Sequence, residues 1–122
     1  MGYRSKVIFG VRKEYQDSLE LVLSKTNTEL KELFNHRDVT YGRFYGLTGE
    51  DYMKSDDWIV YESIYDLKWY SEYKDIRDVE HFFSNMPEDD CFKVCLGEDN
   101  ELHSINGQWN EYIDYICELK II

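Results

Sequence analysis

The sequence predicts an α+β fold: a single mixed, mostly antiparallel sheet with two or three helices packed on one face. Three observations lead to this prediction. The 122 residues suffice for one domain, residues 1–122, with a substantial core. Apolar residues alternate with period two in several short segments and recur at helical spacing in two others. Proline occurs once, at Pro87, so no proline-rich linker divides the chain.

The densest apolar run of the chain predicts the central strand of this sheet. Large apolar residues follow one another through residues 58–61, as in strands that are covered on both faces. The predicted strand spans residues 58–63. Directly after it, Ile64 and Leu67 lie three positions apart, which indicates one helical turn before the chain continues.

Four other segments show strand patterns. The first strand is predicted over residues 7–11, where apolar residues fill both faces. A weaker pattern predicts a strand over residues 39–47, followed by a loop over residues 48–56. Regular alternation predicts a strand over residues 92–96. The longest alternation predicts one long terminal strand over residues 112–121, with Leu119 on its apolar face.

Helical spacing appears in two longer segments. Apolar residues recur on one face of residues 14–23, and again on one face of residues 76–83. A third, shorter helix is predicted where Leu30, Leu33 and Phe34 share a face. The helices are expected to cover one face of the sheet, because each presents a single apolar stripe.

The composition limits the classes of partner. The chain carries 25 acidic and 14 basic residues, a formal net charge of −11. Such a charge repels duplex nucleic acid and anionic membranes. It suits a basic partner, although acidity also serves solubility alone. The apolar run near the start is too short for a signal peptide or a membrane span, and three cysteines, an odd number, indicate free thiols in a reducing compartment.

No arrangement of residues in the sequence predicts catalysis or metal binding. On a strand, Cys91 and Cys95 would stand about 13 Å apart, too far to hold one tetrahedral ion. The three histidines are isolated from one another, and no nucleophile motif or glycine-rich phosphate loop is present. The sequence therefore predicts no catalytic residue, no metal and no cofactor, and a protein that is not an enzyme.

Aromatic residues supply the candidate binding site. They make up 16% of the chain, including 11 Tyr, and exposed Tyr and Trp favour protein interfaces or stack on bases. The start of the chain and the segment after the predicted central strand combine such rings with cations. The alternative is that Trp69 anchors the core and Arg4 forms an ion pair. The predicted binding residues are Tyr3, Arg4, Arg43, Lys68, Trp69 and Tyr70.

Two stretches resemble a family of small uncharacterised proteins of tailed bacteriophages. Those proteins open with Gly-Tyr-Arg-Ser, as residues 2–5 do here, and carry an Ile/Leu-Lys-Trp-Tyr segment before a helix, as residues 67–70 do. A strand ending in Gly-Glu-Asp follows in both. The resemblance implies a phage accessory protein that works in the cytoplasm of the bacterial host.

Two functions follow from this context and from the composition. The first is counter-defence without catalysis, in which the protein binds and blocks a host defence protein through a basic surface of that partner. The alternative is a sponge that sequesters a small cyclic nucleotide, with Tyr and Trp stacking on the bases and Arg4, Arg43 or Lys68 meeting the phosphates. Self-association is left open.

Overall fold

A five-stranded antiparallel sheet carries two helices on one face and a two-stranded hairpin on the other. This computed structural model describes residues 3–25, 30–45, 52–107, 109, 113–115 and 119–121, with the backbone alone at residues 41–45, 52–56, 114, 115 and 120. The strands and helices are β1 (Ser5–Arg12), α1 (Gln16–Ser24), β2 (Phe34–Tyr45), β3 (Tyr52–Ser63), α2 (Lys74–Ser84), β4 (Cys91–Gly97), β5 (Leu102–Gly107), β6 (Ile113–Tyr115) and β7 (Leu119–Ile121).

The strand order in the large sheet is β2-β3-β1-β4-β5, and all of its described pairings are antiparallel. The predicted α+β class is confirmed. The central strand is β1, however, and the predicted central strand, β3, lies beside it. Residues 7–11 of β1 and residues 58–61 of β3 are all buried, on both faces of the sheet, so their sequence patterns alone could not show which strand is central.

The helices cover one face of the sheet, as predicted. Leu19 and Leu23 of α1 and Val79 and Phe83 of α2 pack in one cluster with Phe9 of β1. The ring of Phe9 lies 5.2 Å from that of Phe83, edge to face, a favoured arrangement for aromatic pairs. The predicted third helix is a 3₁₀ turn over Leu30–Leu33, directly before β2.

The opposite face of the sheet is covered by the hairpin β6–β7. Ile113 and Leu119 are buried there against Ile8 and Phe92 of the sheet. The single long strand predicted over residues 112–121 is therefore wrong, because β6 and β7 pair antiparallel. Opposite residues of a hairpin share a face, so the period-two pattern continues through both strands. Residues 112 and 116–118, including Cys117, lie outside the described residues.

Strands β2 and β3 are longer than predicted and continue beyond their neighbour. Their pairing runs from Phe34 opposite Ser63 to Tyr45 opposite Tyr52, so the loop predicted over residues 48–56 is strand from Tyr52 onward. The last pair between β1 and β3 joins Arg12 to Trp58. Residues 40–45 and 52–57 thus form a two-stranded extension, here named the ribbon; residues 46–51 lie outside the described residues.

The segment after β3 is extended, and the helical turn predicted there is wrong. Leu67 and Trp69 are buried whereas Lys68 is exposed, an alternation that belongs to a strand. Leu67 forms an isolated antiparallel bridge with Ser5 at the start of β1. This bridge extends the sheet's hydrogen bonding to the chain start.

The edge strand β5 is absent from the sequence prediction. Its residues are mostly half-buried and polar, and its register with β4 shifts between Lys93 and Cys95. Ser104 takes a φ of 54° at this irregularity, as expected for an extra residue in a β-bulge. A bulged, short strand protects that edge of the sheet from unwanted pairing.

The two described cysteines predict a loss of stability at alkaline pH. Burial raises the pKa of Cys91 to about 11 and that of Cys95 to about 12. In the unfolded chain both thiols deprotonate near pH 9, so between pH 9 and about 11–12 the unfolded state binds fewer protons and is favoured. We expect urea denaturation to show stability falling with pH across this window, by up to about 1.4 kcal/mol per pH unit for each thiol.

The matched control is the double variant Cys91→Ala/Cys95→Val. In this variant the stability should fall less steeply with pH in this window. The part of the fall that comes from Tyr61 should remain, because burial also raises the pKa of Tyr61. An unchanged slope in the variant would show that the thiols ionise as readily in the folded protein as in the unfolded chain.

Candidate functional site

The chain start is held at one end of the sheet by backbone hydrogen bonds. Ser5 N–H donates to Leu67 O and Leu67 N–H donates to Ser5 O, both at 2.8 Å. Glu98 N–H, in the β4–β5 turn, donates to Arg4 O at 3.1 Å. The guanidinium of Arg4 lies 3.5 Å from Asp66 O. These bonds bring together three segments that are far apart in sequence.

Tyr3 is fixed against the β4–β5 turn. Its hydroxyl donates to Asp99 Oδ1, and its ring lies 5.7 Å from that of His103. The hydrogen bond raises the pKa of Tyr3 to about 12 and lowers the pKa of Asp99. Asp99 therefore remains a carboxylate, and Tyr3 a neutral donor, across the physiological range.

Exposed apolar side chains and exposed carboxylates share this end of the sheet. Ile64 is 52% exposed, Tyr65 55% and Tyr3 37%. Four acidic residues, against two basic ones, are exposed in the same three segments. We name this region the chain-start surface: Tyr3, Arg4, Ile64, Tyr65, Asp66, Lys68, Glu98, Asp99 and Glu101.

A buried polar network on the helix face joins α2 to β4 and β5. Lys93 is fully buried on β4, and its ammonium donates to Glu80 Oε2, to Ser104 O at 2.9 Å and to Ser104 Oγ at 2.6 Å. The indole N–H of Trp69 donates to Glu80 Oε1 at 2.6 Å, and the hydroxyl of Ser104 donates to the same oxygen. The network thus ties the segment after β3 to the sheet.

The geometry of this network favours a structural role over catalysis. A Ser beside a Lys resembles a nucleophile with its base. Here, however, the Ser104 hydroxyl accepts from Lys93 and donates to Glu80, so its proton is directed at the carboxylate and not at the amine. A second Ser lies near a base: His103 Nε2 is 2.7 Å from Ser5 Oγ, and burial lowers the pKa of His103. Ser5 itself is 1% exposed, so its side chain is buried.

The structure places the six predicted site residues in four locations, of which the position of Arg43 on β2 is the most distant. Tyr3, Arg4 and Lys68 lie on the chain-start surface, and Tyr70, half-buried, contacts the exposed Tyr73 with ring centroids 5.5 Å apart. Trp69 is 6% exposed and packs in the helix-face core. Trp69 therefore lies where the alternative interpretation expected it, in the core, because alternate residues of the extended segment point inward.

Arg43 lies far from the other predicted residues. It is nine positions along β2 from Phe34, and Phe34 pairs with β3 at the end where the chain-start surface lies. At about 3.4 Å per residue this separation is about 30 Å. The six predicted residues therefore do not form one site.

The chain-start surface also contains residues that the prediction omitted. Asp66, Glu98, Asp99 and Glu101 were interpretable from the sequence only as acids of solvated loops, and the exposed Tyr65 only as part of an apolar run. The acidic turn of residues 97–101 is the sequence feature that could have indicated this surface. Its position beside the chain start depends, however, on the long-range pairing of β1 with β4.

Among the described residues, no group of three or more His, Cys, Asp and Glu side chains is placed to hold a metal ion. Within the same part of the chain, no helix has the length and apolar character needed to cross a membrane. No protein-family model, curated protein or solved structure matches this chain.

Proposed function

We propose that the protein is a non-catalytic binding protein whose chain-start surface docks on a basic surface of another protein. In the context that the phage resemblance implies, it blocks a host defence protein inside the bacterial cell. One observation supports the proposal above others: exposed Tyr3, Ile64 and Tyr65 share one end of the sheet with four exposed carboxylates.

The chemistry of this surface suits a protein partner. Tyrosines combine apolar area with a hydroxyl and bury at low entropic cost, which is why they are enriched at interfaces. The carboxylates steer a basic partner and select against acidic ones. Because Tyr3 and Arg4 are held by Asp99 and Glu98, part of the surface is ordered before binding, which reduces the entropy lost on association.

The same charges disfavour the nucleotide alternative at this location. Arg4 and Lys68 are the two cations of the surface, and Asp66, Glu98 and Asp99 are exposed nearby. A phosphate bound there would meet more negative than positive charge, and Coulomb repulsion over a few ångströms would outweigh the attraction of two cations. A basic protein segment at the same place would be attracted by the excess of carboxylates.

Affinity capture from a bacterial lysate tests the proposal. We expect the immobilised protein to retain a host protein with a basic surface at low salt, and to release it as salt is raised, because screening weakens the attraction. Capture of nothing, or of a partner whose binding does not respond to salt, would contradict the proposal. A control column carrying Ile64→Asp/Tyr65→Asp should lose the same partner without changing the sign of the surface charge.

A further inference from the structure

A groove separates the C-terminal part of α1 from the second half of α2. Its cavity has a volume of about 310 Å³, which lies at the small end of the range for small-molecule sites, about 300–1,000 Å³. The groove shares no residue with the chain-start surface, and every side chain that lines it is described. We name it the helix groove, and its lining residues are Val22, Lys25, Asp78, His81, Phe82 and Asn85.

Two half-buried side chains form the apolar part of the helix groove. Val22 of α1 and Phe82 of α2 pack against the core that the helices form with the sheet. The ring of Phe82 also lies edge to face against that of the buried Phe83, with the ring centroids 5.3 Å apart. These contacts hold both apolar side chains before any ligand binds, so little conformational entropy is lost when one does.

The uncommitted charge of the helix groove is positive. Its carboxylate, Asp78, is already paired, because Lys74 donates to Asp78 Oδ2 at 2.9 Å. Among the ion pairs of the described residues, none includes the ammonium of Lys25, and no described hydrogen bond includes the imidazole of His81 or the side-chain amide of Asn85. These three groups can donate to an anion.

Helix electrostatics alone accounts for only part of this arrangement. Lys25 directly follows α1 and His81 lies in the last turn of α2, where the helix macrodipole favours a cation. That effect needs no apolar surface beside the cation. The helix groove adds one, and a cation beside two ordered apolar side chains is a combination that suits an amphipathic anion.

The net charge of −11 does not exclude a small anion at this position. A direct contact with Lys25 acts over a distance shorter than the Debye length, which is about 8 Å at physiological ionic strength. Acidic residues farther away are largely screened over that distance, and the carboxylate in the lining is balanced by Lys74. The local charge therefore decides the sign of the ligand.

We propose that the helix groove binds a small carboxylate with an apolar body. The carboxylate pairs with the Lys25 ammonium and accepts hydrogen bonds from His81 or Asn85, while the apolar body packs on Val22 and Phe82. The volume favours a small molecule over a partner helix, whose anchor residues span about two turns. This site is separate from the chain-start surface and does not depend on the function proposed for it.

Three probes with one apolar body test the assignment: phenylbutyrate, phenylbutanol and phenylbutylamine. With each titrated into the isotope-labelled full-length protein, we expect phenylbutyrate to shift the amide NMR signals of residues 22–25 and 78–85. The carboxylate should bind at least about threefold more tightly than the alcohol, as expected for an exposed ion pair, and the amine should bind more weakly than the alcohol. Absence of shifts at the helix groove, or binding of the alcohol or the amine as tight as that of the carboxylate, would overturn the proposal.

Three variants show which side chains cause the binding. Lys25→Ala should remove the preference, so that phenylbutyrate and phenylbutanol bind within about twofold of each other. Val22→Thr keeps the side-chain shape but replaces a methyl group by a hydroxyl, and should weaken all three probes about threefold. Arg77→Ala removes an exposed cation of α2 that does not line the helix groove, and should leave the preference within about twofold of wild type.

The outcome of the variants decides the roles of the two parts of the site. A preference for the carboxylate that survives in Lys25→Ala, or that is lost equally in Arg77→Ala, would overturn the proposal. Unchanged affinities in Val22→Thr would overturn the apolar contact. Because Lys25 and Arg77 are both exposed, neither alanine variant is expected to change stability by a large amount, so a lost preference reports binding and not folding.

Discussion

Replacing Glu80 by alanine is expected to lower the free energy of unfolding by about 3 kcal/mol or more. The substitution removes the acceptor of three donors: the Lys93 ammonium, the Ser104 hydroxyl and the Trp69 indole. Lys93 is fully buried, and a buried charge without its counter-ion carries most of the penalty. Urea denaturation followed by tryptophan fluorescence measures the change.

Two comparisons show whether the unpaired charge causes this loss. Glu72→Ala removes an exposed carboxylate close to α2 and should change stability by less than about 0.5 kcal/mol. The double variant Lys93→Met/Glu80→Gln removes both charges but keeps a carbonyl oxygen for the Trp69 indole and the Ser104 hydroxyl. It should regain most of the stability, since the uncompensated buried charge carries most of the penalty. A Glu80→Ala protein as stable as wild type would mean that water reaches Lys93.

Replacing Leu119 by aspartate is expected to cost about 3 kcal/mol or more and to detach the hairpin β6–β7 from the sheet. Leu119 is 6% exposed and packs in the cluster that contains Ile113, Trp58 and Phe92. A carboxylate at this position would be buried in an apolar cluster. Thermal melting by circular dichroism measures the loss.

The matched control for this variant is Leu21→Asp. Leu21 is 54% exposed on α1, so the same chemical change should alter stability by less than about 0.5 kcal/mol. Equal melting temperatures for Leu119→Asp and wild type would show that the hairpin does not cover the second face of the sheet.

Sequence patterns predicted the strands and helices whose structure depends mainly on their own residues. The apolar run of residues 7–11, the alternation of residues 92–96 and the helical spacing of residues 14–23 and 76–83 correspond to β1, β4, α1 and α2. The two helices are buried along the apolar stripe that their sequence defines, and the two strands are buried on both faces. Strand order and chain reversal depend instead on pairing between distant residues, which is why β1 was not predicted as the central strand.

Weak patterns account for most of the remaining differences. Strand β5 is polar, short and bulged, so its period-two signal is lost at Ser104. The segment after β3 contains Ile64 and Leu67 at helical spacing, yet the bridge from Leu67 to Ser5 makes it extended. Tertiary hydrogen bonds thus override a local preference of three or four residues.

The candidate site was predicted in part for a related reason. Aromatic residues beside cations identified Tyr3, Arg4 and Lys68, which the structure places on one surface. The same rule also selected Trp69, which is buried, and Arg43, which is about 30 Å along β2. Composition identifies residue types that suit binding, but exposure and proximity come from the fold.

A comparison of two acidic turns tests most directly the claim that the chain-start surface binds a basic protein. Residues 98–101 follow β4 and Glu88–Asp90 precedes it, so the two turns lie at opposite ends of one strand. Asp99→Lys/Glu101→Lys and Glu88→Lys/Asp89→Lys change the net charge by the same amount. With the captured partner in a binding titration, we predict that the first variant loses about tenfold or more in affinity and that the second stays within about twofold of wild type. Equal losses in the two variants, or full affinity in the first, would contradict the claim.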